Sequence, residues 1–373
     1  MPIEIVRHAV QWKSAVEAFT ARMRAGGSIW GYYVEPVDAW LPERPGAAVW
    51  REHYLAVEDG ESVRGGYALK IQDCWLRGAS ATVCDYQGPV SEGTVDPRYG
   101  MLALRLFRDM TRRQPLLYSW GHGGEDPMVL QILRKLGWWL HTTPFCLRVL
   151  RPARFLHRNA WLRRTPARRA GLDLLAASGL GFVGLHALHG ALGARRLFRR
   201  RVSVEPIERF GAWADELWER CKRHYTLVAA RDAANMNALL PVGGWPPGIA
   251  LRVLRDGATI GFVVVMDTSM ADDARFGSLR VGSIVDCFGA PEDAADVAGA
   301  GFDFLRERGV DLVVANLSHP AWSGALARHG FVVLPRRRTF AASPELRRAL
   351  EPVGGNASGI HLTNLDGHGP HAL

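Results

Sequence analysis

Cysteine is sparse in this chain. Cys74, Cys84, Cys146, Cys221 and Cys287 stand far apart in 373 residues, the count is odd, and no C-x-x-C pair occurs. Such spacing excludes a disulfide framework, gives a zinc site no support and fits free thiols in a reducing compartment. The opening MPIEIVRHAVQWK lacks the basic, then apolar, then small-residue order of an export leader, so the expectation is a chain that stays in the cytoplasm.

Acidic residues are nearly missing from one stretch. Between Arg148 and Arg201 stand thirteen Arg and one acidic residue, Asp173, a local formal charge of +12 against a total of +9. The basicity belongs to that segment, and the rest of the chain is mildly acidic, so the net charge is no general signal of nucleic-acid binding. Hydrophobic residues make up 48% and charged residues 22%, with 13 Trp. Those are the proportions of a folded chain, and 373 residues suit two cores better than one.

The order helix, hairpin, strand, helix, strand, helix, strand occurs twice, about two hundred residues apart, with the second copy opening near Val204. IEIVRHAVQWKSAVEAF and VEPIERFGAWADELWER both pass from a β-prone stretch into apolar residues at helical spacing, with Trp12 and Trp213 in matching places. YLAVEDGESVRGGYALKI and ALRVLRDGATIGFVVVMD each turn at Asp-Gly, which supplies the positive φ angles of a tight hairpin. ASATVCDYQGP and VGSIVDCFGAP read as strands that leave through Gly and Pro into helices, and PLLYSWGHG and VDLVVANLSHP as buried strands that end in polar loops. QILRKLGWWL and SGALARHGFVVL each stop a helix at Gly137 or Gly330 before an aromatic that re-enters a strand.

This order, with its hairpins and closing L-x-x-x-G-aromatic turns, resembles the GNAT acyltransferase fold. The resemblance implies a mixed α/β (α+β) protein of two GNAT-like domains, 1–152 and 202–373, each a mixed central sheet flanked by helices. An Arg-rich, partly apolar helical linker, 153–201, joins them. It also implies a V-shaped gap between the fourth and fifth strands. There acetyl-CoA or another acyl-CoA lies as co-substrate, its pantetheine along the strand at Cys84 and Tyr86. Its pyrophosphate then sits on the turn VDPRYGM, at Arg98, Tyr99, Gly100 and Met101. A helix N-terminus favours phosphate through free amides and its dipole, without special side chains. In the second copy Glu292 and Asp293 occupy that turn and would repel phosphate. A tyrosine general acid four residues before the last helix's Gly is also missing, with Leu133 and Leu326 in those places.

Transfer to an amine needs a base for the ammonium proton and a donor to the carbonyl oxygen. Asp85 and Asp286 end the two fourth strands, where such a group faces substrate, although a carboxylate there also simply caps a turn. His122, Asn316 and His319 follow the fifth strands; a histidine can serve as base, and Asn316 with Ser318 can instead cap the next helix. Arg231 and Asp232 are candidates to bind an anionic acceptor or to pair with each other. Asp366, His368 and His371 lie in a Gly-rich terminal stretch expected to fray rather than hold metal. Trp138 and Trp139 read as core.

A narrower resemblance, carried by LWERCKRHYTLVAARDAANMN, KLGWW and IHLTNLDGHGP, is to tandem GNAT or Fem-like proteins encoded with exopolysaccharide genes. It implies N-acylation of an amine, often an amino sugar of a surface polysaccharide, carried on a small molecule or a lipid. A Fem-like transfer from aminoacyl-tRNA is the second enzymatic reading, and a non-catalytic binding or scaffold module the third. In the linker, AGLDLLAASGLGFVGLHALHGALGA is nearly long enough to cross a bilayer, but one crossing would part the two copies. It reads either as a helix lying in the membrane interface between flanking arginines or as a packed spacer.

Overall fold

The computed structural model describes residues 3–36, 40–123, 128–193, 201–243, 248–351 and 357–369. β1 (Ile3–Arg7) leads into α1 (Lys13–Ala25), which buries Val16, Phe19 and Met23 at three- and four-residue spacing. β2 (Val49–Glu58) and β3 (Ser62–Leu76) form the first expected hairpin, with Asp59 and Gly60 both at positive φ. β4 (Ala79–Ser91), α2 (Leu102–Arg113), β5 (Leu117–Gly123), α3 (Met128–Lys135) and β6 (Trp139–Val149) follow. The basic stretch is helical: α4 (Pro152–Arg158), α5 (Pro166–Ala177) and α6 (Leu180–Gly193).

The second copy runs β7 (Ser203–Ile207), α7 (Ala212–Cys221), β8 (Leu227–Ala229), α8 (Ala233–Leu239), β9 (Ile249–Arg255) and β10 (Ala258–Ser269), with the second hairpin turning on Asp256 and Gly257, again at positive φ. β11 (Arg280–Gly289), α9 (Ala294–Glu307), β12 (Leu312–Ala315), α10 (Pro320–Arg328) and β13 (Val332–Ala342) repeat the first copy, and α11 (Pro344–Leu350) and β14 (Ile360–His361) are added. Gly137 and Gly330 end α3 and α10 at positive φ, each followed by an amide returning to the helix, Trp138 to Leu133 and Phe331 to Leu326.

The chain forms two compact units that exchange their closing segments. One comprises residues 1–120, 125–140 and 340–354, the other 121–124, 141–339 and 355–373. In the first, the strand order is β1-β2-β3-β4-β5 followed by the end of β13. Ser343 donates its amide to the Leu117 carbonyl at 2.9 Å, and Ala341 joins the core of Leu69, Leu106, Phe107, Met110 and Trp138. In the second, the order is β13-β6-β12-β11-β10-β9-β7. β6 pairs antiparallel with β12 from Leu312–Val149 to Ala315–Cys146, over a core of Val263, Ile284, Phe302, Trp322 and Phe331. β6 of the first copy thus pairs with β12 in the second unit, while the end of β13, residues 340–342, and the segment after it to 354 belong to the first unit.

α4, α5 and α6 belong to the second unit. His189, buried on α6, accepts the Val149 amide on Nε2 at 3.3 Å, which leaves Nδ1 to donate to the Gly330 carbonyl at 2.8 Å. Asp173 on α5 is held well below the usual carboxylate range, at about 2, by Arg163 at 2.6 Å and His157 at 2.9 Å.

Candidate functional site

In the first unit the pleat of β2, β3 and β4 sorts residues by face. Tyr67, Leu69, Cys84 and Tyr86 pack in the core with Leu102, Leu106 and Phe107 of α2. The opposite face carries charge: Arg51, Lys70 and Asp85 lie directly across from one another on the three strands, and the next row is His53, Ala68 and Gln87. Lys70 and Asp85 are each 1% exposed and Gln87 is 2% exposed. Burial of such groups is costly unless they are paired, so this face is held by interactions. Gln87 donates to Asp85 Oδ2 at 3.0 Å and accepts from Arg51, which also donates to the Tyr33 hydroxyl at 3.0 Å. Arg51 lies over the rings of Tyr33 and Trp40, and the Lys70 ammonium is 5.6 Å from the Trp40 centroid. Gln72, one pleat further along the same face, is buried with neither amide atom hydrogen-bonded among the described residues.

Next to this polar face the sheet opens. Among the described residues β4 pairs parallel with β5 only at Cys84–Leu117 and Asp85–Tyr118, whereas β4 continues to Ser91. Beyond it, Asp96 caps the short turn Pro97–Tyr99, and α2 begins at Leu102. A helix start of this kind offers unpaired amides to an anion. Arg98 is exposed and paired with Asp96 at 2.6 Å, and that pairing holds the Asp96 carboxyl below its ordinary value. The buried Tyr99 donates to Glu58 at 2.9 Å, Gly100 closes the turn onto the Pro97 carbonyl, and Met101 is exposed. Burial pushes the Cys84 thiol up to about 12, and Tyr86 packs edge-on to Phe107 and Trp138. Only the backbone of Cys84 and Tyr86 is therefore suited to meet a ligand in the opening. His122 lies in β5, and its side chain is outside the described residues.

In the second unit β11 likewise outruns β12. Their parallel pairing ends at Ile284–Ala315, and β11 continues to Gly289. Here the space is filled by the chain's own residues 360–366, all buried. His361 donates through Nε2 to the Cys287 carbonyl at 2.7 Å and stacks between Tyr225 and Trp322. Leu362 donates its amide to the Ser318 hydroxyl and accepts the Ser318 amide on its carbonyl. Arg231, fully buried, sits 2.9 Å from Asp286 and 2.7 Å from both oxygens of Asp366. Burial, reinforced by Asp366, outweighs Arg231 and raises the Asp286 carboxyl above its ordinary value. Asp366 also accepts the Thr363 amide at 2.7 Å.

Several expectations change accordingly. The terminal stretch around Asp366 does not fray, because its carboxylate closes a buried ion network. His371 lies outside the described residues. Asp232 does not pair with Arg231 but caps α8, accepting the Asn235 amide at 2.9 Å. His319, 8% exposed, is the cap of α10, accepting the Ala321 amide at 3.2 Å, and burial lowers its pKa to about 4. Asn316, three residues earlier, is buried and is not that cap. Asp293, in the turn before α9, and Asp296, in the first turn of α9, both pair with Arg255 at 2.7 Å. A cavity of about 620 Å³ beside that turn is of mixed charge, with Glu216, Glu292 and Asp293 facing it together with Arg220, Arg252 and His224. Lys70, Arg51 and Gln87 had no motif to announce them; only their period-two spacing against Tyr67 and Leu69 distinguishes that face.

No family model and no curated protein matches the sequence. Solved structures do resemble it. A probable N-acyltransferase from Enterococcus faecalis V583 matches over 93% of this chain and 74% of its own, with TM-score 0.51 and 12% identity. Saccharomyces cerevisiae N-myristoyltransferase with bound myristoyl-CoA and inhibitors matches over 92% and 80%, with TM-score 0.53 and 12% identity. A GCN5-related N-acetyltransferase from Anabaena variabilis ATCC 29413 matches over 91% and 72%, with TM-score 0.50 and 10% identity. At these identities the likeness is one of fold, and the fold is of the GNAT type.

Proposed function

We propose that the protein is an acyl-CoA-dependent N-acyltransferase whose first unit holds the thioester and whose second unit is closed to it. The observation that carries this reading is the contrast between the two parted strand pairs. β4 runs past β5 toward a helix start in the first unit, while in the second the equivalent space holds residues 360–366. Backbone of β4 beyond Asp85 is suited to pair with pantetheine, and the turn Arg98–Met101 to receive pyrophosphate. N-acyltransferases of this fold among the solved structures support an acyl-CoA co-substrate.

Asp85 lies on the polar face beside that opening. It is suited to take, directly or through water, the proton lost when an amine nitrogen bonds to the acyl carbon; the carbon–sulfur bond then breaks, and the departing thiolate takes up a proton. Lys70, across from Asp85, supplies positive charge next to developing negative charge. The mixture of polar groups with the rings of Tyr33 and Trp40 suits an amino sugar, whose hydroxyls hydrogen-bond while its ring face packs on an aromatic. An acceptor bound for a surface polysaccharide, held on a lipid at the inner face of the membrane, belongs to the same reading. The second unit is then a binding or scaffold module, in keeping with its locked Asp286. Transfer from aminoacyl-tRNA draws support only from the linker arginines and would show as strongly salt-dependent tRNA retention.

Thermal melting tests the proposal. Acetyl-CoA at about millimolar concentration should raise the melting temperature. No shift with acetyl-CoA or longer acyl-CoAs would remove the reading.

A further inference from the structure

α5 and α6 leave an apolar surface uncovered. Leu174, Leu175, Leu180, Phe182, Val183 and Leu188 are between 42% and 70% exposed. All but Leu188, which lies two turns into α6, are within four residues of the break between the two helices, where the axis bends by 79°. Among the described residues no single helix is long and apolar enough to cross a membrane, although this bent pair has the composition. Helices of 12 and 14 residues are about 18 and 21 Å long, too short to span a bilayer, but long enough to dip a bend into its interface.

Charge is arranged to match. Arg168 and Arg169 are exposed in the first turn of α5, about 9 Å along the axis from Leu174 and Leu175. Exposed Trp161 stands before them with Arg164 stacked 5.5 Å from its ring. Asp173, the acidic residue of α5, is already paired to Arg163 and His157 and so does not oppose an anionic surface. A nucleic acid would use the arginines but not six exposed aliphatic and aromatic side chains; an acidic protein would not need the two groups set a headgroup depth apart.

We propose that the α5–α6 bend docks this protein on an anionic bilayer surface, with its apolar residues at the acyl boundary and the arginines of α5 among lipid phosphates. The proposal stands apart from the acyl-transfer reading, and acetyl-CoA melting shifts without vesicles are unaffected by its outcome. The test is co-sedimentation of the full chain with phosphatidylcholine vesicles, with and without about a third phosphatidylglycerol. Retention is expected only with the anionic lipid and should weaken in high salt. Leu180→Asp with Phe182→Asp, and separately Arg168→Glu with Arg169→Glu, should each cut retention by about tenfold or more while melting as the parent does, since all four side chains are exposed. Absence of retention overturns the proposal, as does retention that the apolar pair leaves unchanged. A change confined to self-association in light scattering also overturns it and assigns the bend to contact between copies.

Discussion

Arg231 and Asp366, 135 residues apart in sequence, meet at 2.7 Å with neither side chain exposed, and Asp286 completes the group at 2.9 Å from the same guanidinium. One cation among two buried carboxylates ties the terminal segment to the end of β11. Removing the cation leaves both carboxylates desolvated, so Arg231→Met is expected to destabilise the second unit by about 3–5 kcal/mol. Adding Asp286→Asn and Asp366→Asn should recover much of that loss. Urea denaturation of the three chains measures it, and equal midpoints for parent and Arg231→Met would contradict the network's role.

The same segment should make the protein acid-sensitive. Burial lowers the pKa of His361 to about 3 and of His319 to about 4. Both folded-state values lie below the unfolded value near 6.5, so each imidazole is stabilising, as the neutral form, above that pH. The contribution is lost as pH falls from 6.5 toward the folded pKa, because the unfolded chain then binds more protons. By pH 5 the loss is about 2 kcal/mol per histidine. Melting temperature followed from pH 7.5 to about 4.5 should fall steeply, and His361→Gln, which retains a donor for the Cys287 carbonyl, should flatten the curve. A parallel slope in the variant would assign the acid loss elsewhere.

Much of the architecture was legible because its signals are local. Asp59-Gly60 and Asp256-Gly257 turn the hairpins, and Gly137 and Gly330 end their helices, through backbone angles that few other residues adopt. The exchange of β6 and β13 was not legible. A closing strand shows the same apolar pattern whichever fifth strand it joins, and sequence periodicity carries no partner label. The site was half visible. Asp85 and Asp286 were expected at matched strand ends, but Asp85 lies midway along β4 and faces a polar layer, whereas Asp286 lies near the end of β11 against a buried arginine, and that difference depends on Lys70 and Asp366, which no local motif links to them.

The two aspartates should therefore separate in a transfer assay. Asp85→Asn is expected to lower kcat for acyl transfer by about 10²–10⁴-fold, the range for loss of a general base, while the acetyl-CoA melting shift persists. Asp286→Asn should leave kcat within about twofold at temperatures where it stays folded. The reverse ranking would move the chemistry to the second unit.

The strand exchange leads to a test by dissection. Residues 1–152 contain β4, β5 and the helices around them but lack residues 340–354, which place Ala341 in the core and give Ser343 to the Leu117 amide and carbonyl. Their own β6 is the strand that pairs with β12. In isolation that length has an apolar strand with its partner missing and a sheet edge at β5 uncovered, two conditions that favour self-association. A fragment of residues 1–152 is thus expected to be aggregated or to melt without a cooperative transition. Co-expression of 1–201 with 202–373 should instead yield a copurifying pair with the circular dichroism of the intact chain. A monomeric 1–152 fragment with a sharp melt would show that the first copy closes its own sheet and that the exchange is dispensable.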